Sequence, residues 1–137
     1  MVVAVYIMFV RDDEILVSRR FHTGYEDGNY SFVAGHLDGG ESAVQAAIRE
    51  AKEEAGVELR PEDLKLALTM HRLTDREQVD FFFEAKHWIG EPKIMEPNKC
   101  DDLSWFPMER LPENTIPYVH QAVRCYKSGI NYYETGF

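Results

Sequence analysis

The chain has 137 residues, of which 45% are hydrophobic and 28% are charged. This length and composition predict one globular domain, residues 1–137, with a buried core and little room for a second domain. The formal net charge of −9 argues against binding to an extended nucleic-acid backbone, which needs clustered Lys and Arg. Cys100 and Cys125 form neither a CxxC motif nor a disulfide framework, which favours the reducing cytoplasm.

The first part of the chain predicts a β-hairpin followed by a loop. Residues 2–10 and 14–20 are apolar runs on either side of a polar turn at 11–13, and this pattern is typical of a hairpin. The first run lacks a basic leader and is too short to span a bilayer, so we expect a buried strand, no targeting signal and no membrane contact. A polar loop at 22–29 leads into a short strand predicted at 30–34.

The next segment predicts an α-helix over residues 42–55. It is rich in good helix formers, Ser42 and Gln45 match a capping box at its start, and Gly56 can end it. Apolar residues recur along it at spacings of three or four and form a stripe that can pack on a sheet: Val44, Ile48, Ala51 and Ala55.

Three glutamates share another face of this helix. Glu50 lies three and four residues before Glu53 and Glu54, and residues at these spacings are neighbours, with Cβ atoms about 5 to 6 Å apart. Like charges so placed cost the helix a few tenths of a kcal/mol per pair. A hard divalent cation such as Mg²⁺, which takes oxygen ligands, would offset this repulsion. The alternative interpretation is a solvated acidic helix face.

The second half of the chain predicts more strands and one further helix. Strand patterns occupy residues 64–73, 78–88 and 103–106, with a turn at 75–77 and a loop at 89–100, and a helix is predicted at 116–127, entered through Pro117. Two helices can cover opposite faces of a mixed sheet. The aromatic tail, Tyr132, Tyr133 and Phe137, either covers the domain's own core or contacts a partner subunit, so both a monomer and a homodimer remain open.

Residues 35–57 carry the pattern G-x5-E-x7-R-E-U-x-E-E-x-G-U, in which U is apolar. Its positions are filled by Gly35, Glu41, Arg49, Glu50, Ala51, Glu53, Glu54, Gly56 and Val57. The pattern resembles the signature of the Nudix hydrolase family. This resemblance implies an α/β (α+β) fold, an α/β/α sandwich with a mixed β-sheet between helices. It also implies an enzyme that hydrolyses phosphoanhydride bonds with Mg²⁺ as cofactor, or with Mn²⁺ in its place.

The resemblance further implies roles for the residues of the motif. The implied metal ligands within it are Glu50, Glu53, Glu54 and Gly35. Glu50 is also the implied general base, with Glu41 and Glu96 as rivals, because the base differs between Nudix subgroups and can come from a loop. Arg49 is implied to orient the glutamates through charge-assisted hydrogen bonds.

Outside the motif, the chain is more loosely similar to MutT-type nucleoside triphosphate pyrophosphohydrolases. Arg20, at the end of EILVSRR, matches a phosphate-contacting arginine of that group, and Glu96, at the end of GEPKIME, matches a further metal-binding glutamate. Phe32 and Asn114 match positions that contact the base. Each has a structural alternative: a surface arginine, an ordinary loop acid, a core phenylalanine and a helix N-cap.

We therefore expect a magnesium-dependent hydrolase that cleaves a nucleoside diphosphate linked to another group. The preferred small-molecule substrate is a nucleoside triphosphate, cleaved to monophosphate and pyrophosphate. Nucleotide sugars, dinucleoside polyphosphates and capped RNA remain open as alternative substrates. The competing class is a non-catalytic, nucleotide-binding Nudix module, although such modules usually lose motif glutamates and this chain has all of them.

Overall fold

The computed structural model describes residues 1–137. The strands are β1 Val2–Arg11, β2 Glu14–Arg20, β3 Tyr30–Ser31, β4 Val33–His36, β5 Leu64–Leu73, β6 Glu77–Ala85, β7 Cys100–Pro107 and β8 Tyr132–Thr135. The helices are α1 Ala43–Glu50, continued by a π-helical turn at Ala51–Ala55, and α2 Pro117–Ser128, with a 3₁₀ turn at Pro61–Asp63. No helix has the length and apolar character needed to cross a membrane.

The eight strands form one mixed sheet. Its order is β3-β2-β1-β6-β5-β8, while β4 pairs with β1 and β7 pairs with β2. The predicted hairpins, β1 with β2 and β5 with β6, are both present and antiparallel. β1 runs parallel to β6, and β5 runs parallel to β8. β1 therefore lies at the centre of the sheet and pairs with β4 on one side and β6 on the other.

The alternation of side chains along β1 divides the core in two. Ala4 and Tyr6 belong to the cluster that α2 covers, and Val5 and Ile7 belong to the cluster that α1 covers. All four are at most 5% exposed, and full burial of a large apolar side chain contributes about 1.5–3 kcal/mol. The two helices are thus held on opposite faces of the sheet. This confirms the predicted α/β/α sandwich with a mixed sheet between helices.

The strand predicted at residues 30–34 is split in two at Phe32. β3 pairs with β2, whereas β4 pairs with β1, so the chain changes partner strand at this residue. Phe32 is only 3% exposed, which means that the break lies in the core rather than in a surface turn. β4 then carries the chain past the N-terminal half of β1 towards α1.

Two other strands, β6 and β7, differ from the predicted ones by three residues at one end. β6 ends at Ala85, three residues early, because Ala85 pairs with Leu64, the first residue of β5. β7 is twice as long as predicted because it pairs with the whole length of β2, from Glu14 to Arg20. In both cases the partner strand sets the limit.

The C-terminal strand β8 has no counterpart among the predicted elements. It pairs in parallel with β5, from Thr69 opposite Tyr132 to Arg72 opposite Thr135. Beyond it, the Phe137 ring lies 4.6 Å from the His71 ring between centroids. The aromatic tail therefore adds a strand to the chain's own sheet. Of its three aromatic residues, Tyr133 packs against the core, whereas Tyr132 and Phe137 are exposed.

Candidate functional site

The helix that carries the glutamates begins and ends as its sequence predicts. The Ser42 hydroxyl accepts from the Gln45 backbone N–H at 3.1 Å, and the Gln45 side chain accepts from the Ser42 N–H at 2.9 Å, which completes the capping box. Gly56 ends the helix in the left-handed conformation, with φ of 69°, and glycine adopts that conformation without steric cost.

Small residues bring this helix close to the sheet. Its fully buried apolar residues are Ala46, Ala47, Ala51 and Ala55, whereas Val44 and Ile48 of the predicted stripe are only partly buried. The buried face of the helix therefore consists mainly of alanines. Their small side chains allow the helix to approach the sheet closely. The helix backbone consequently lies next to β4.

The last turn of the helix widens into a π-helical turn over Ala51–Ala55. The Gly56 N–H donates to the carbonyl of Ala51, five residues earlier. Such turns are rare and occur frequently at functional sites. Because Glu53 and Glu54 lie within it, ideal α-helical spacing does not describe their positions relative to Glu50.

β4 passes so close to the helix that Gly35 has no room for a side chain. A Cβ atom on Gly35 would lie 2.8 Å from Glu50 Oε2 and closer still to the rest of that carboxylate. Glu50 itself is 8% exposed. The glycine is therefore a steric requirement, and this packing holds the Glu50 carboxylate against the β4 backbone.

Arg49 joins three of the glutamates. Its Nη1 donates to Glu50 at 2.6 Å and to Glu53 at 3.3 Å, while its Nε and Nη2 donate to Glu41 at 3.2 and 2.7 Å. Nη2 also donates to the His36 carbonyl at 3.2 Å. Hydrogen bonding to Glu41 is the largest of the effects that raise the pKa of Arg49, so the guanidinium stays charged and keeps its fixed fork of donors.

Glu41 is fully engaged by these contacts. Both of its oxygens accept from Arg49, and Oε1 also accepts from the Asp38 backbone N–H at 2.9 Å. The hydrogen bonds from Arg49 and then from Asp38 lower the pKa of the Glu41 carboxyl. A carboxylate stabilised in this way is a weaker proton acceptor than a free one.

The pKa of the Glu54 carboxyl group is raised well above its ordinary value. Burial is the largest cause, followed by a hydrogen bond with Glu50 and by the negative charges of Glu50 and Glu96. Two acids that crowd each other in this way favour a shared proton over two charges. A bound divalent cation would reduce the repulsion between the two carboxylates in the same way as a shared proton.

The remaining glutamate lies apart from this pair. The Glu53 side chain is 53% exposed and contacts Arg49, and no three His, Cys, Asp or Glu side chains converge on one point in metal-binding geometry. The chemistry of the donors nevertheless fits a hard divalent cation, because all of them are carboxylate oxygens and two are crowded and partly buried.

A cleft of about 730 Å³ opens from these acids across the sheet. Small-ligand sites usually measure roughly 300–1,000 Å³, so a nucleotide-sized molecule fits. The predicted site residues on its lining are Arg20, Phe32, Gly35, Glu50, Glu53, Glu54 and Glu96. Arg49, Glu41 and Asn114 are outside the lining.

Arg20 lies at the rim of the cleft. Its Nε donates to the Tyr25 carbonyl at 2.6 Å, and its Nη2 donates to Thr23 Oγ1 at 3.0 Å. These bonds hold the loop at residues 22–29 beside the cleft. Because a guanidinium carries five N–H donors, three remain available to an anion.

The two residues predicted to contact a base have different surroundings. Phe32 borders the cleft and packs edge-to-face on Phe82, with centroids 6.1 Å apart. Asn114 is exposed, and its Nδ2 donates to the Gly28 carbonyl at 2.6 Å. It is not the N-cap of α2 either, since that position is Ile116. In this structure Asn114 ties the loop at residues 22–29 to the segment before α2.

The structure adds a buried ion pair that sequence reasoning does not single out. Arg72 Nε on β5 lies 2.6 Å from Asp80 Oδ2 on β6, with the two side chains 9% and 0% exposed. Gln78 donates to the other Asp80 oxygen at 2.6 Å, and Arg72 and Gln78 line the cleft. A signal exists in the sequence, because Asp80 shares the inward face of β6 with Phe82 two residues later.

Known proteins match both the sequence and the fold. A family model described as NUDIX domain matches residues 1–125. NAD-capped RNA hydrolase NudC of Stutzerimonas stutzeri (strain A1501) is 29% identical over 106 residues, and that of Pseudomonas entomophila (strain L48) is 30% identical over 120. Each match covers 77% of this chain and 36% of the relative, so the chain spans about a third of the length of these curated relatives.

Solved structures of other proteins share this fold. The MutT NUDIX hydrolase from Burkholderia pseudomallei superposes with a TM-score of 0.82 at 26% identity, over 89% of this chain and 95% of that one. The MutT protein from Methanosarcina mazei Go1 has a TM-score of 0.80 at 17% identity, over 93% of each chain, and shows the fold alone. The family match covers most of the chain, and the chain therefore belongs to the Nudix hydrolase family.

Proposed function

We propose that this chain hydrolyses a phosphoanhydride bond in a nucleoside diphosphate linked to another group, with Mg²⁺ as cofactor. The preferred substrate is a nucleoside triphosphate, cleaved to nucleoside monophosphate and pyrophosphate. One observation carries this proposal: the crowded Glu50 and Glu54 carboxyl groups lie at the acid end of a nucleotide-sized cleft. A fold shared with a MutT NUDIX hydrolase at 26% identity supports it.

The oxygens at the acid end would hold Mg²⁺, or Mn²⁺ in its place. We assign them to Glu50, Glu53 and Glu54, with the Gly35 backbone and Glu96 beside them. The cation supplies charge stabilisation for the phosphates, which matters in a chain whose formal net charge is −9. Glu53 is the most exposed of the three helix glutamates, so its side chain is free to turn towards the others.

Glu50 is the proposed general base. Its Oε1 accepts from Arg49, and Oε2 would take a proton from water as the water oxygen bonds to phosphorus and the anhydride P–O bond breaks. Arg49 is a positioning residue, since its hydrogen bonds orient Glu50 and Glu53. Glu41 is a weaker rival because Arg49 and Asp38 occupy both of its oxygens, and Glu96 remains the second rival.

The other predicted residues would contact the substrate away from the acids. Arg20 has donors left for a phosphate at the rim of the cleft, and Phe32 offers an apolar edge on its floor. For Asn114, contact with a base requires that its bond to Gly28 be released. We also propose that residues 1–137 work as one domain, because one sheet joins both halves of the chain. The proposed assembly is a monomer or homodimer, and the proposed location is the cytoplasm.

A second candidate substrate is NAD-capped RNA. The relatives at 29% and 30% identity are named as NAD-capped RNA hydrolases, and the NAD cap also contains a nucleoside diphosphate linked to another group. The net charge of −9 disfavours contacts to an RNA backbone, so this candidate ranks second. A non-catalytic nucleotide-binding module ranks third, because every glutamate of the motif is present.

A substrate panel tests the proposal. Purified protein with Mg²⁺ is incubated with nucleoside triphosphates, nucleotide sugars, dinucleoside polyphosphates and NAD-capped RNA, and the products are separated. We expect monophosphate and pyrophosphate from a triphosphate, and a fall in turnover of two or more orders of magnitude in Glu53→Gln. Glu62→Gln, an exposed acid outside the cleft, is the matched control and should keep full turnover. Absence of turnover on the whole panel would contradict the proposal.

A further inference from the structure

Arg72, on the floor of the cleft away from the acids, has no role in the steps above. Its side chain is 9% exposed, it borders the cleft, and its Cζ lies 3.9 Å from the centroid of the Tyr118 ring. Burial lowers the pKa of Arg72, but its hydrogen bond with Asp80 and the charge of Asp80 outweigh burial and raise it. A charged, largely buried guanidinium thus faces the substrate space.

Most donors of this guanidinium have no partner in the protein. Only Nε is hydrogen-bonded, to Asp80. The one fully buried side-chain nitrogen or oxygen without a hydrogen-bond partner is Thr115 Oγ1, so Nη1 and Nη2 of Arg72 are not sealed in the core and reach the cleft. Because the Arg72 side chain is largely buried, these unpaired donors are only partly hydrated, and a ligand that supplies acceptors would complete their hydrogen bonding.

Two groups, Asp80 and Tyr118, hold the guanidinium in place. Asp80 is itself fixed, since one oxygen accepts from Arg72 and the other accepts from Gln78. Tyr118 lies against the guanidinium, and the Tyr6 hydroxyl donates to the Tyr118 hydroxyl at 3.3 Å. A donor pair that is already fixed loses little freedom when a ligand binds, which favours affinity and selectivity.

The register of the sheet gives the separation between Arg72 and the acid end. Gly35 pairs with Val5 on β1, Val2 pairs with Gln78 on β6, and Gln78 pairs with Arg72 on β5. Three strand spacings of roughly 4.8 Å and three residues of roughly 3.3 Å give a backbone separation on the order of 17 Å. This is the length scale of a nucleotide, so phosphates at the acids place the base near Arg72.

We propose that Arg72 is a specificity-determining residue whose two free Nη groups recognise adjacent hydrogen-bond acceptors on an oxo-bearing nucleobase. Arginine has donors and no acceptor, so it pairs with a purine that presents an oxygen at C6 beside N7. A purine with an amino group at C6 presents a donor there and is disfavoured. This inference rests on the proposed function for the orientation of the nucleotide.

The test measures binding without hydrolysis. IMP and AMP differ in the group on C6, oxo in one and amino in the other, and neither has a phosphoanhydride bond. Their dissociation constants are measured by calorimetry for the wild type, for Arg72→Lys and for Arg124→Lys, a matched control on the exposed face of α2 outside the cleft. The wild type and Arg124→Lys should bind IMP about tenfold or more tightly than AMP.

In Arg72→Lys this ratio should fall to near one, because lysine keeps the charge but loses the two-pronged donor geometry. If Arg72→Lys does not fold, the double variant Arg72→Gln/Asp80→Asn replaces it and should show the same loss. Equal binding of IMP and AMP by the wild type, or an unchanged ratio in the folded variant, overturns the inference. Because no cleavage is measured, failure of the substrate panel and failure here are distinguishable.

Discussion

At Gly35, the absence of a side chain lets the Glu50 carboxylate lie against β4. We predict that Gly35→Ala lowers stability by about 1–3 kcal/mol and lowers activity more than tenfold, because the added Cβ displaces the carboxylate. Thermal unfolding and turnover of the preferred substrate measure both effects. Gly39→Ala is the control, since a Cβ at Gly39 meets nothing within 4 Å. Equal activity of the two variants would show that the position of Glu50 does not matter.

The motif residues could be predicted from their spacing, and Arg20, Phe32 and Glu96 through the looser MutT resemblance, whereas the Arg72–Asp80 pair could not be predicted. Gly35, Glu50 and Glu54 belong to one contiguous motif whose spacing is visible in the chain. Arg72 and Asp80 become a pair only through the register of the β5–β6 hairpin, which the apolar pattern does not determine to the residue. Sequence reasoning accordingly identified the acids and did not single out the ion pair.

The helix that carries the acids depends on its N-terminal cap. Ser42→Ala removes the acceptor of the Gln45 backbone N–H, and we predict a loss of about 1 kcal/mol in the free energy of unfolding. Urea denaturation measures this value. Ser128→Ala, at the exposed end of α2, changes the same residue type without removing a cap and should change stability by less than about 0.5 kcal/mol. Equal losses in both variants would contradict the role of the cap.

The 3₁₀ turn before β5 predicts a pH dependence. Hydrogen bonds from the Arg60 side chain and backbone lower the pKa of Asp63. A lowered pKa in the folded state adds stability that is present above the unfolded pKa of about 3.9 and is lost as pH falls through the folded value. Asp63→Asn should therefore unfold at a lower temperature than the wild type at pH 7.

The difference between Asp63→Asn and the wild type should shrink as the pH is lowered below about 3.9. Melting curves at pH 7 and at successively lower pH values measure it. Asp13→Asn, an exposed acid in the β1–β2 turn, is the control and should follow the wild type at every pH. A difference that is constant with pH would mean that the carboxylate charge of Asp63 does not stabilise the turn.

Elements with strong local signals were predicted well, and those defined by their partners were not. The two hairpins and both helices have caps, turns or long apolar runs within their own sequences. β8 is short and mostly exposed. It is a strand because its backbone pairs with β5. The division of residues 30–34 into β3 and β4 likewise follows from two different partner strands, which no local pattern encodes.

At the scale of the whole molecule, one sheet brings together cleft residues from distant parts of the chain. α1 presents the acids from one end of β4, the loop after β6 contributes Glu96, and β5 and β6 contribute Arg72 and Gln78 to the same cleft. The cleft thus has an acidic end and a cationic, partly aromatic floor. A chain with a net charge of −9 repels polyphosphates in the absence of a cation, so cation binding is the condition on which the account depends.

Direct measurement of Mn²⁺ binding tests that condition. Electron paramagnetic resonance at neutral pH measures free and bound Mn²⁺ for the wild type, Glu54→Gln and the control Glu62→Gln. Glutamine mimics the protonated form that the raised pKa of Glu54 favours, so Glu54→Gln should fold. We expect the wild type and Glu62→Gln to bind Mn²⁺ alike and Glu54→Gln to bind at least tenfold more weakly. No binding by the wild type, or equal binding by all three proteins, would contradict the account.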